Sequence, residues 1–105
     1  MNTSDVERAI SDAPEIADRM FRIVRDIARE RGRQHVKWGT QRHSWPEWMA
    51  ILGEEYGEAC KESVEVHWQG VDIGFSGLRT ELVHLAAVAV AIVEHIDELR
   101  ESEGR

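Results

Sequence analysis

Apolar residues recur at helical spacing along most of this chain. From about Pro14 to about Arg31, Ile16, Ala17, Met20, Phe21, Ile23, Val24 and Ile27 form one stripe, which predicts a first main helix. Gly32 is its expected stop. Residues 33–44 are mostly polar and read as a helix tail followed by a loop around Gly39. A second helix is predicted from about Pro46 to about His67, with Trp48, Ile51, Leu52 and Ala59 on its inner face. The glycine-rich segment 69–77 predicts a loop. A third helix follows from about Leu78 to about Glu101, with the stripe Leu78, Leu82, Leu85, Val88, Ala89, Ile92, Ile96 and Leu99.

Smaller signals refine these limits. Pro14 and Pro46 are placed as helix starts, because the first helical N–H has no partner in any case. Asp12 and Ser44 precede them as N-cap candidates. Ser4 to Ile10 predicts a short helical turn, and the tail 101–105 is expected to fray. The one β-like fragment, Val71 to Phe75, is interrupted by Gly74 and has no partner strand. The expectation is an all-α single domain over residues 1–105, with 1–12 and 101–105 peripheral. Ala86, Ala87, Ala89 and Ala91 allow a second helix to approach the third closely. Three helices in 105 residues leave an apolar face short of cover. A bundle completed by homo-oligomerisation, as a dimer or a tetramer, is the natural remedy.

Charge narrows the range of partners. A net charge of -7 repels a phosphate backbone, so a nucleic-acid partner is not expected. An acidic protein can still hold a phosphate compound across a divalent cation. Cys60 is the single cysteine, so no internal disulfide can form and a reducing compartment is expected. The polar N-terminal residues lack the features of a secretory leader. The longest apolar run, Leu85 to Val93, is far below the roughly 20 residues that span a bilayer. A cytoplasmic protein without a membrane partner is the expectation.

The candidate chemistry lies where acids fall in apolar registers. Glu55 is four residues after Ile51 and seven after Trp48, and Glu58 is three further on. The helical period directs both toward the inner face. Glu62 continues the row nearer the helix end and is expected in solvent. Glu81 falls beside Leu78 and Leu82 on the third helix, with His84 next at that spacing. Glu7, Glu30 and Glu101 fall outside the apolar registers. Buried carboxylates normally protonate or acquire a cation. Several converging carboxylate oxygens suit a hard cation such as Mg²⁺. An EExxE pattern alone is common on solvated helix faces; its coincidence with the apolar registers is the stronger signal.

Glu54-Glu55-Tyr56-Gly57-Glu58 resembles the EExxE motif of MazG-like nucleotide pyrophosphohydrolases. Glu81-Leu82-Val83-His84 stands where that family has ExxD. The segments KWGTQRHSWPEWMAILGEEYGEA and LRTELVHLAAVAVAIVEHID are similar to the small phage and bacterial members, so the resemblance covers about residues 33–97. It implies an α-helical dimer or tetramer that hydrolyses a nucleoside triphosphate to the monophosphate and pyrophosphate. It implies Mg²⁺, with Mn²⁺ as an alternative, held by Glu55, Glu58 and Glu81. Glu54 would be a further ligand or would orient the attacking water, which makes Glu54 and Glu55 the catalytic candidates.

His84 is the departure from the family pattern. Imidazole suits transition metals better than Mg²⁺. His84 is thus a candidate ligand for a softer metal, an orienter of a carboxylate, or a packing residue. Lys37, Arg42, Lys61 and Arg79 are candidate phosphate contacts. Trp38 is the candidate stacking partner for a base, with Gln34 and His35 able to read a base edge. Trp48 is assigned to the core and Trp68 to closing the loop. Two alternatives stand beside this reading. Glu81-x-x-His84 also fits a di-iron carboxylate bundle. The chain could also be a non-catalytic module that binds a nucleotide, or a protein covering the Leu85–Val93 face.

Overall fold

A computed structural model describes residues 2–69 and 71–104, apart from the side chains of residues 69 and 71–74. Helix α1 (Thr3–Ser11) begins at Asn2, whose side chain accepts a hydrogen bond from the Asp5 N–H at 2.9 Å. Helix α2 (Pro14–Trp38) starts on its proline, and Ala13, not Asp12, precedes it as the cap without a side-chain bond. Asp12 instead terminates α1. Gly32 does not stop α2. A helix-interior glycine costs only about 1 kcal/mol, and continuing the helix brings Gln34 into a buried position. The stop is Gly39, whose φ of 69° and ψ of -161° fall in a positive-φ region open essentially to glycine alone. Its N–H donates to the His35 carbonyl at 2.8 Å.

Helix α3 (Trp45–Gln69) opens with a capping box. The Glu47 N–H donates to the Ser44 hydroxyl at 3.3 Å, and the Ser44 N–H donates to the Glu47 carboxylate at 3.0 Å. Helix α4 (Val71–Glu103) overturns the predicted loop, since residues 71–77 are its first two turns. Gln69, also placed in that loop, ends α3, and Gly70 lies outside the described residues. Gly77 serves close approach rather than chain reversal. A Cβ there would collide with the carboxylate of Glu62. Glu62, expected in solvent, is therefore half-buried between α3 and α4.

The described residues are all-α: one short helix and three long ones, without a strand. Helix α4 is the spine. It packs on α3 and on α2, and α1 touches only α2. Helices α3 and α4 run antiparallel, since Trp48 meets His95 near one end and Glu62 meets Gly77 near the other. Helix α2 runs in the same sense as α4, tied to it by Asp26–Arg79 and Arg31–Glu94 ion pairs. Among the described residues, α2 and α3 make no backbone-range contact. The core is thin: Trp48, Ala59, Ala87, Val88 and Ala91, with Gln34 and His95 as its polar members.

Much of the predicted α2 stripe is not core. Ile16, Met20, Phe21 and Val24 are exposed, Phe21 at 69%. The ion pairs to α4 begin only at Asp26, so the first half of α2 has α1 as its neighbour. Among the described residues, no helix is long and apolar enough to cross a membrane.

Candidate metal centre and its adjoining cavities

Two helices deliver the central cluster. Glu55 projects from α3; Glu81 and His84, three residues apart, project from one face of α4. Each offers a ligand atom, and these atoms lie within 4.8 Å of one another. His84 Nδ1 is 3.4 Å from a Glu81 oxygen, and its Nε2 is 3.7 Å from a Glu30 oxygen. Glu30 belongs to α2, and its side chain is only 12% exposed. Arg33 holds it from the other side, donating Nε–H to the carboxylate at 2.8 Å.

Electrostatics marks the same place. Burial, first, and then the like charges of Glu81, Glu58 and Glu30 push the Glu55 carboxyl above its ordinary range, against the opposing influence of His84. An acid held above its usual range by neighbouring acids is stabilised when a cation enters. Two carboxylates and an imidazole in mutual reach form a donor set that a divalent first-row metal accepts.

The remaining motif acids divide. Glu54 is exposed and lines a cavity next to the cluster. Glu58 does not turn inward as its register suggested. Its side chain is 54% exposed and pairs with Lys61 at 3.5 Å. A three-residue step turns a helix by about 300°, which sets Glu58 about 60° round the helix from Glu55. Glu58 thus stays close enough for its charge to act on Glu55, while its carboxylate lies in solvent beside Lys61. Lys61 is taken up by this pair on the outer face of α3.

Three cavities meet at the cluster. One, of about 240 Å³, is lined by Gln34, Trp38, Trp48, Ile51, Glu54 and Glu55, among others. The next, of about 270 Å³, shares Gln34, Trp38 and Glu55 and adds Glu30, Arg33, Lys37 and His84. The third, of about 210 Å³, shares Arg33 and His84 and adds Asp26, Arg29, Arg79 and Thr80. The order along this groove is therefore aromatic, acidic, basic. Lys37 Nζ sits 4.8 Å from the centre of the Trp38 ring. Arg79 donates to Asp26 at 2.8 Å; this bond, with Arg25 on the other side, holds the Asp26 carboxyl below its usual range.

Three sequence candidates lie elsewhere. Arg42 hydrogen-bonds Glu98 and, with His35, lines a separate polar pocket of about 170 Å³. Trp68 closes no loop. It is exposed and makes an edge-to-face contact with His67 at 5.0 Å. The reading of the chain missed Glu30, Arg29 and Arg33. Their signal is present: Asp26, Glu30, Arg33 and Lys37 recur at three- and four-residue spacing on one face of α2. Ending the helix at Arg31 concealed it.

Comparison with protein-family models, with curated proteins and with solved structures finds no match to this chain.

Proposed function

We propose that the protein is a metal-dependent pyrophosphohydrolase of the MazG-like kind, cleaving a nucleoside or deoxynucleoside triphosphate to the monophosphate and pyrophosphate. The observation that carries the reading is the meeting of Glu55, Glu81 and His84 within 4.8 Å, between an aromatic cavity and a basic one. Glu55, Glu81 and His84 would hold the cation, Mg²⁺ or Mn²⁺. When bound, it supplies Lewis-acid polarisation of phosphate oxygens and lowers the pKa of a coordinated water.

The chain's own residues do the rest. Trp38 stacks the base, and Gln34 offers both a donor and an acceptor to its edge. Glu54 orients the attacking water and accepts its proton. The water oxygen bonds to the α-phosphorus. The bond from that phosphorus to the bridging oxygen breaks, and its electron pair leaves with pyrophosphate. Glu30 and Arg33 position His84 from outside the ligand set.

The same reading includes a homo-oligomer. An apolar groove of about 500 Å³ between α3 and α4, lined by Met49, Leu52, Tyr56, Leu82 and Leu85, supports it. A second copy is the occupant that would complete a bundle there.

One observation favours a second reading, an iron carboxylate site. Glu30 approaches His84 from α2, adding a third carboxylate to Glu55, Glu81 and His84. Metal content of protein purified without added metal separates the two.

The experiment for the main reading is product analysis with a panel of ribo- and deoxynucleoside triphosphates, with Mg²⁺ or Mn²⁺. Monophosphate plus pyrophosphate from the native protein, absent with Glu55→Gln, is the expected result. No turnover with either cation would sink it.

A further inference from the structure

Three guanidinium groups from two helices converge on one pocket in a protein of net charge -7: Arg29 and Arg33 from α2, and Arg79 from α4. Like charges brought together are unfavourable unless counter-charges offset them. Asp26 balances Arg79, and Glu30 balances Arg33. Arg29 has no hydrogen bond or ion pair among the described residues. The pocket thus carries an unbalanced cation, with the forked donors that suit phosphate oxygens. Thr80 adds a hydroxyl whose proton is already given to the Ser76 carbonyl at 2.9 Å. His84 forms part of the pocket wall and part of the acidic cluster alike.

We infer that the Arg29–Arg33–Arg79 pocket receives the pyrophosphate end of the substrate and holds pyrophosphate after cleavage. The inference rests on the proposed hydrolysis for its setting, and it fixes the direction of the substrate in the groove. The base lies by Trp38, the α-phosphate by the acidic cluster, and the terminal phosphates by the arginines. Sequence candidates for phosphate contact are thereby redistributed. Arg79 stays, Arg29 and Arg33 join it, and Arg42 and Lys61 are bound up elsewhere.

The test is titration calorimetry with inorganic pyrophosphate, without divalent cation so that the acidic cluster contributes no attraction. Native protein is expected to bind pyrophosphate more tightly than orthophosphate or sulfate. Arg29→Ala is expected to weaken pyrophosphate about tenfold, the scale of one lost charge-assisted hydrogen bond. Arg29→Lys keeps the charge but loses the fork, so it recovers only part of the affinity. Arg29 makes no hydrogen bond or ion pair among the described residues, and an unchanged Tm verifies that the variants are folded. Equal affinity in native and Arg29→Ala protein would overturn the inference, as would indifference among the three anions or no binding at all. Arginine-dependent pyrophosphate binding without triphosphate turnover would keep the pocket and sink the hydrolase. Turnover with pyrophosphate binding indifferent to Arg29 would do the reverse.

Discussion

Trp48 donates its indole N–H to Nδ1 of His95 across 2.9 Å, tying the start of α3 to the second half of α4 inside the core. The bond assigns the His95 proton to Nε2. His43 packs edge-on against Trp48 and Trp45 leans on His95, so the pair is enclosed by rings. Trp48→Phe keeps most of the apolar contact and leaves a buried nitrogen unpaired. The expected loss is about 1–3 kcal/mol of stability, read from urea unfolding with native m-value.

Glu55 is expected to couple stability to cation binding with opposite signs. Its carboxyl sits above its ordinary range, so the charged form is disfavoured in the folded protein. That contribution to stability is present below the unfolded pKa and is lost as pH rises through the folded one. In metal-free protein at pH 7, Glu55→Gln is therefore expected to raise Tm, and the advantage should shrink toward zero in acid. Adding Mn²⁺ should stabilise the native protein and not the variant. Thermal melts across pH, with and without the cation, check all three.

The capping box offers the contrary pH sign. Hydrogen bonds from Ser44 hold the Glu47 carboxyl below its ordinary range. Its contribution is full above the unfolded pKa and disappears as pH falls through the folded one. Ser44→Ala is expected to cost about 1 kcal/mol near neutrality and less in acid, measured by denaturant unfolding at both pH values.

Two glycines seven residues apart respond oppositely to alanine. At Gly32, inside α2, an added Cβ meets nothing within 4 Å. Gly32→Ala is expected to stabilise by about 0.5–1 kcal/mol. At Gly39 there is equal space but a φ of 69°. Gly39→Ala is expected to destabilise by about 1–2 kcal/mol. Equal shifts in Tm would contradict this account of where α2 ends.

Trp38 tests the proposed base end of the groove. Trp38→Ala is expected to raise KM with little change in kcat, by the equivalent of about 1–3 kcal/mol of stacking. A fall in kcat alone would place Trp38 in the chemistry instead.

Periodicity made the long helices legible, because each packs one side on a neighbour and leaves the other wet. It also picked out Glu55 and Glu81, which fall in apolar registers and lie together with His84. The boundary errors came from reading Gly32 and the glycines of 69–77 as punctuation. Gly32 and Gly77 are helical here, because roughly 1 kcal/mol of propensity is small beside the hydrogen bonds and packing of a continuous helix. Glu30 and the arginines of α2 share a helical face that the early stop at Gly32 hid, and their role had a second obstacle. Their relevance depends on which face of α4 lies opposite, and that is decided by tertiary packing, not by the chain's own pattern. The same holds for Phe21 and Val24, which read as core and stand in solvent.

The separation of α2 from α3 has a thermodynamic consequence. Among the described residues, both lean on α4 and make no backbone-range contact with each other, and the groove passes between them. On the proposed reading, a nucleotide clasped by Trp38 on one side and a Glu55-bound cation on the other would become a missing layer of the bundle. Ligand occupancy and the docking of α2 are then one equilibrium. Amide exchange in α2 should slow when the site is filled, while the α3–α4 hairpin keeps the protection it already had.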